Sequence, residues 1–180
     1  MLFRSLDKRF QPVDVVFETS KGEFTIQVHP DWAPLGSERF LELVRAGFYD
    51  GCRFFRMMPD FVAQVGINGD PAVHAQWNAK PIKDDPVLFS NSRGAVTYAK
   101  TNAPNSRTTQ IFFNYKDNRN LDSDGFAPFG VVRGDGMKVI DALNAEYRGA
   151  PDQHQIEKQG NAYLEREFPR LDFIKRAFVK

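Results

Sequence analysis

Cysteine is almost missing from this chain: Cys52 stands alone among 180 residues. An intramolecular disulfide and a cysteine-based zinc site are thereby excluded. Its place beside a Phe-rich stretch predicts a buried, inert thiol. Histidine is nearly as scarce, and His29, His74 and His154 show no ligand spacing, so neither a metal nor any other cofactor is expected. Charge of one sign is not in excess either. With 24 Lys and Arg against 23 Asp and Glu, the formal net charge is +1, which gives no broad electrostatic reason for a nucleic-acid or membrane partner. No stretch approaches the ~20 apolar residues of a membrane span. The segment Met1 to Arg9 has no apolar run of signal-peptide length. A cytoplasmic protein is expected, although a removed targeting segment would leave no trace.

Phenylalanine is what the chain has in quantity, 17 against 5 Tyr and 2 Trp, as suits a strand-rich fold with a Phe-packed interior. No repeat, low-complexity tract or linker divides the chain. Residues 1–12 read as an N-terminal extension and 13–180 as one domain. Val13 to Thr19 and Glu23 to Val28 alternate as a hairpin about Ser20-Lys21-Gly22. Ser37 to Gly47 carries a helical stripe of Phe40, Leu41 and Val44, with Gly47 as its stop. Gly69 to Asn91 is polar and Pro-bearing, and reads as a long surface excursion. Strands follow at Gly94 to Ala99, Gln110 to Tyr115 and Phe126 to Val132, then a short helix at Gly136 to Asn144. The tail reads as one helix from Gln155 to Phe168 and a closing strand from Leu171 to Val179. This pattern suits a β-barrel with helical caps; a mixed α/β sandwich also fits it. With no heptad or exposed apolar helix, a monomer is expected.

One charged residue sits in an apolar run, Arg56 within Phe54-Phe55-Arg56-Met57-Met58-Pro59-Asp60-Phe61-Val62-Ala63-Gln64. Period-two alternation makes this two short strands about Pro59-Asp60. A three-residue connection would set Arg56 opposite Gln64 and Met58 opposite Val62, all four on one face. A guanidinium there suits a neutral, carbonyl-bearing ligand with a greasy body. Rotation about a peptide bond meets a barrier of ~18–20 kcal/mol, and before proline both isomers are populated. A donor aimed at the twisted amide favours the transition state selectively, and arginine's permanent multi-donor fork supplies one. Alternatively, Arg56 simply snorkels over a sheet edge. Pattern alone does not separate the two.

The same run closely resembles the catalytic segment of cyclophilin-type peptidyl-prolyl cis-trans isomerases. Asn102 to Phe113 resembles the family's loop leading into a Gln-x-Phe strand. Leu121-Asp122, followed by Phe126-Ala127-Pro128-Phe129-Gly130, resembles its third segment. Order and spacing fit from about Val13 to Asn144. The resemblance implies a closed eight-stranded antiparallel β-barrel capped by two helices, here with an extra C-terminal helix. It implies that Arg56 is the catalytic guanidinium and Gln64 its orienting partner. Phe61, Val62, Phe112 and Leu121 would line a proline pocket. Ala99, Lys100 and Thr101 would meet the substrate residues before proline, with Gln110 facing the same groove. Proline-containing peptides and unfolded chains are the implied partners.

The chain departs from the family pattern at two positions. Asn120 stands where many members have a Trp, which predicts weak cyclosporin binding. Phe126 stands where a His is usual, which makes the pocket greasier. These departures keep a second class open, a proline-segment binding module or assembly factor with little turnover. Arg133-Gly134-Asp135 spells an adhesion tripeptide but reads as turn and N-cap chemistry. The basic tail, interrupted by Glu165, Glu167 and Asp172, reads as a solvated mixed face.

Overall fold

A computed structural model describes residues 7–180. The expected hairpin is present. β1 (Val13–Thr19) pairs antiparallel with β2 (Gly22–Val28) from Val13 opposite Val28 to Thr19 opposite Gly22. Gly22 takes φ +130°, a conformation open to glycine. Further strands are β3 (Arg56–Met57), β4 (Val62–Val65), β5 (Ala95–Tyr98), β6 (Ile111–Asn114), β7 (Gly130–Val132) and β8 (Ile174–Val179). They form one antiparallel sheet in the order β3-β4-β6-β5-β7-β2-β1-β8.

This sheet is a curled half-barrel, and the closure expected from the sequence is not seen in its pairing. β3 is two residues long, and its Met57 N–H donates to the Arg148 carbonyl at 3.1 Å, so the segment leading into the tail occupies that edge. The two ends of the sheet meet at an isolated bridge, Arg53 to Phe173.

Phenylalanine fills the concavity as the composition suggests. Phe17 and Phe24 lie 5.5 Å apart, and Phe24 meets Phe113 edge-on at 5.4 Å. α1 (Pro34–Arg45) lays Phe40, Leu41, Leu43 and Val44 against this core, with the Phe40 ring 4.9 Å from Phe129. It stops at Gly47, φ +71°, where Gly47 N–H donates to Val44 and Phe48 N–H to Leu43, a Schellman closure. Cys52 is fully buried and its thiol is pushed well up by desolvation, which fits an inert side chain.

Three expectations need correction. Gly69 to Asn91 is irregular only after its first third. It holds α2 (Pro71–Asn78), opened by Asp70, whose carboxylate accepts the Ala72 N–H, with Pro71 in the first turn. His74, Asp85 and Asn91 from this stretch are buried. α3 (Asn120–Ser123) and α4 (Gly136–Ala142) follow. The tail helix is two helices, α5 (Gln153–Gln159) and α6 (Asn161–Glu167), broken at Gly160. Their Ile156 and Leu164 make a second apolar cluster with Phe55, Ile67 and Leu171. The strands read from Phe126 and Leu171 begin later, at Gly130 and Ile174, because the stretches before them turn or bridge rather than pair. The expected N-terminal extension falls partly on residues 1–6, which lie outside the described residues. Its remainder carries a 3-10 turn at Lys8–Phe10.

Candidate active site

The Arg56 register is as the alternation predicts: Arg56 pairs with Gln64 and Met57 with Ala63. The turn closes tightly, with Phe61 N–H donating to Met58 O at 2.7 Å and Met58 N–H to Val62 O at 2.9 Å. Two side chains of one face then meet. Arg56 Nη1 donates to Gln64 Oε1 at 3.1 Å. Gln64 Nε2 donates onward to Gln110 Oε1 at 2.8 Å. One amide thus fixes the guanidinium and holds the wall opposite, while the Phe61 ring lies 5.9 Å from the guanidinium carbon. Met58 is half-buried but does not line the groove.

Arg56 lies along a groove of ≈ 440 Å³. Val62, Phe112 and Leu121 form a buried apolar cluster at one end, with Phe61, Ala99 and Phe126 packed against it. Lys100 and Thr101 continue the wall from Ala99, so all eleven site residues named from the sequence line one cavity. Phe126 meets Phe112 edge-on at 5.8 Å, and the Lys100 ammonium sits 4.5 Å over the Phe126 ring. The departure at Phe126 thus makes the pocket both greasier and cationic at its rim. Asn120 is exposed and off the groove. Neither tryptophan replaces it, since Trp32 stacks between His29 and Phe89 while Trp77 packs on Phe48.

Buried asparagines hold the apolar end in place. Asn118 Nδ2 donates to Phe61 O and to Asn114 Oδ1, and Asn114 Nδ2 to Asn91 Oδ1. Asn91 Nδ2 in turn donates to Asp122 Oδ1, next to Leu121. Burial opposes the Asp122 charge, but its hydrogen bonds from Ser90 and Asn91 hold the carboxyl below its usual range. At the other end, Asn105 and Asp84 exchange hydrogen bonds at 2.8 and 3.0 Å, and Thr109 Oγ1 donates to Gly66 O at 2.7 Å. These hydrogen bonds brace the loop facing the groove before any ligand arrives.

Sequence reasoning missed five lining residues: Asn78, Ser106, Thr108, Gln153 and Glu157. Asn78 ends α2, whose start was signalled by Asp70-Pro71. Gln153 and Glu157, four apart, share a face of α5. Among the described residues no cluster of three His, Cys, Asp or Glu could hold a metal ion, and no helix is long and apolar enough to cross a membrane.

On a curled antiparallel sheet, an arginine held by Gln64 thus faces a groove with a buried apolar cluster. The family model described as "Cyclophilin type peptidyl-prolyl cis-trans isomerase/CLD" matches residues 14–161. Peptidyl-prolyl cis-trans isomerase B of Escherichia coli (strain K12) is 33% identical over 149 residues, 78% of this chain and 90% of that protein. The isomerase cyp18 of Streptomyces antibioticus is 34% identical over 149 residues, covering 78% and 89%. The cyclophilin AquaCyp293 of Hirschia baltica superposes with TM-score 0.69 at 21% identity, over 93% of this chain and 75% of that one. The chain belongs to the cyclophilin-type peptidyl-prolyl cis-trans isomerase family.

Proposed function

We propose that this isomerase seats a substrate proline on Val62, Phe112 and Leu121, with Phe61 and Phe126 at its sides. Arg56 then donates to the twisted X-Pro amide. The observation that carries this reading is the Arg56–Gln64–Gln110 chain, which aims a guanidinium along an apolar slot. Twisting the amide localises its nitrogen lone pair, so a fixed donor meets more basic character in the transition state than in either ground state. Gln64 removes the need to reorganise the guanidinium during the step. Ala99, Lys100 and Thr101 offer an edge for the residues before proline, beside Gln110.

Proline-containing peptides and unfolded chains are the proposed substrates. Residues 13–180 are taken as the working domain after an extension over 1–12, and the Arg53–Phe173 bridge as the seam of a barrel closed in solution. A monomer is supported by the few large apolar residues left exposed among those described, Leu35, Leu88 and Phe89. A cytoplasmic location completes the proposal, to be checked by cell fractionation.

The second reading, a binding module with little turnover, draws on the Phe126–Phe112 contact, which makes the pocket greasier and release slower. NMR exchange spectroscopy of an Ala-Pro-Phe peptide separates the two. Catalytic amounts of protein should collapse the separate cis and trans resonances. Binding shifts without faster exchange would favour the module.

A further inference from the structure

One wall of the groove comes from the tail, to which the isomerase reading assigns no role. Gln153 and Glu157 of α5 line the cavity, while Ile156, on the adjoining flank of the helix, is buried in the second cluster. The junction that follows α5 is anchored by the first residue of α6: Asn161 N–H donates to Gly69 O, and Asn161 Nδ2 to Gly51 O, both at 3.0 Å.

Glu157 is the one carboxylate among the residues that line the groove. Its Oε1 lies 4.0 Å from Nε2 of His74, and its side chain is 34% exposed. His74 Nδ1 accepts the Asn68 N–H, which leaves the proton on Nε2, an atom with no hydrogen-bond partner. Burial disfavours protonation of His74, so the imidazole beside Glu157 is neutral and does not cancel its charge. Among the described residues no lysine or arginine pairs with Glu157. Of the groove's two cations, Arg56 is held by Gln64, and Lys100 sits over Phe126 at the apolar end.

We propose that Glu157 is a specificity-determining residue, making the isomerase favour chains with lysine or arginine two or three residues before the proline. This rests on the isomerase reading and on Ala99 to Thr101 serving the residues before proline. α2 carries both His74 and Asn78, and Asn78 Oδ1 accepts from Thr108 Oγ1 at 3.0 Å, which puts Glu157 at the Thr108 end. At ~3.3 Å per extended residue, with a bend at Thr109, Thr108 lies within ~13 Å of Phe112. A substrate side chain two or three residues from the proline, with a lysine's length, spans that distance.

The test compares kcat/KM by NMR exchange for peptides carrying Lys or Glu at each of the three positions before proline, or two positions after it. Wild type should prefer Lys over Glu by ~3- to 10-fold before proline, as one half-exposed ion pair allows, less so in high salt. After proline the ratio should stay near one. Glu157→Gln should bring the upstream ratio toward one and Glu157→Lys should invert it. Because each ratio is internal to one protein, partial loss of active enzyme cancels. An upstream ratio unmoved by Glu157→Lys in a chain that accelerates exchange would overturn this proposal and leave the isomerase reading standing. No acceleration of any peptide would overturn both.

Discussion

Gly160→Ala probes how the tail is attached to the isomerase core. Gly160 has φ +65° and ψ −149°, a region essentially confined to glycine. An added Cβ would fall onto the carbonyl oxygen of Gly69 and lie 2.9 Å from Pro71 Cδ. Backbone strain of this kind costs ~1–3 kcal/mol, and displacing the Gly69 peptide adds to it. The chain has two ways to respond. Releasing α5 and α6 would expose Ile156 and Leu164, both buried. At ~1.5–3 kcal/mol each, that forfeits ~3–6 kcal/mol, offset in part by regained chain entropy. Retaining the helices and shifting the Gly69 loop costs less, so a docked but strained tail is expected. Urea unfolding should show ~2–4 kcal/mol lost, and amide exchange over residues 153–167 should accelerate more than over β5 and β6. A variant within ~0.5 kcal/mol of wild type, with unchanged exchange in the tail, would refute the reasoning.

Gln64→Glu would pair a carboxylate with Arg56 and remove the donor that Gln110 accepts; about a tenfold fall in kcat, ~1.4 kcal/mol, is expected by NMR exchange with the fold intact. Cyclosporin should bind weakly, and Asn120→Trp, at an exposed site opening α3, should tighten it by about tenfold in a fluorescence titration; nanomolar binding by the unmodified chain would contradict this. Burial holds the His74 pKa below its ordinary 6.5 in the folded chain, so the unfolded chain takes up that proton first as pH falls. The resulting stability is present above pH 6.5 and lost as pH drops through the folded value, with a slope of at most ~1.4 kcal/mol per pH unit from this group. His74→Gln should flatten the dependence of urea-unfolding stability between pH 7 and 5.

The site was more legible than the scaffold around it. The three-residue turn and strand parity brought Arg56 and Gln64 opposite one another, because a slip by one residue would reverse every side chain. The pocket followed from apolar residues in a fixed motif order. α2 was hidden because only His74 among its residues is buried, so it shows no apolar stripe. Glu157 and Gln153 were hidden for the converse reason. Residues that face a polar groove look, in sequence, like residues that face water. The break at Gly160 depends on a close approach to Gly69, a contact across 91 residues that local pattern does not carry. Likewise, the claim of Arg148 on the Met57 edge has no signature in either segment.

The central claim is that Arg56 acts on the transition state, and one titration tests it most directly. Exchange rate at saturating peptide and peptide affinity are read together by NMR for wild type and Arg56→Ala. Loss of one preorganised donor predicts a fall of ~100-fold or more in the rate, with affinity changed far less because Val62, Phe112 and Leu121 still hold the proline ring. A mutant that keeps the wild-type rate, or that loses affinity and rate in equal measure, would contradict the account.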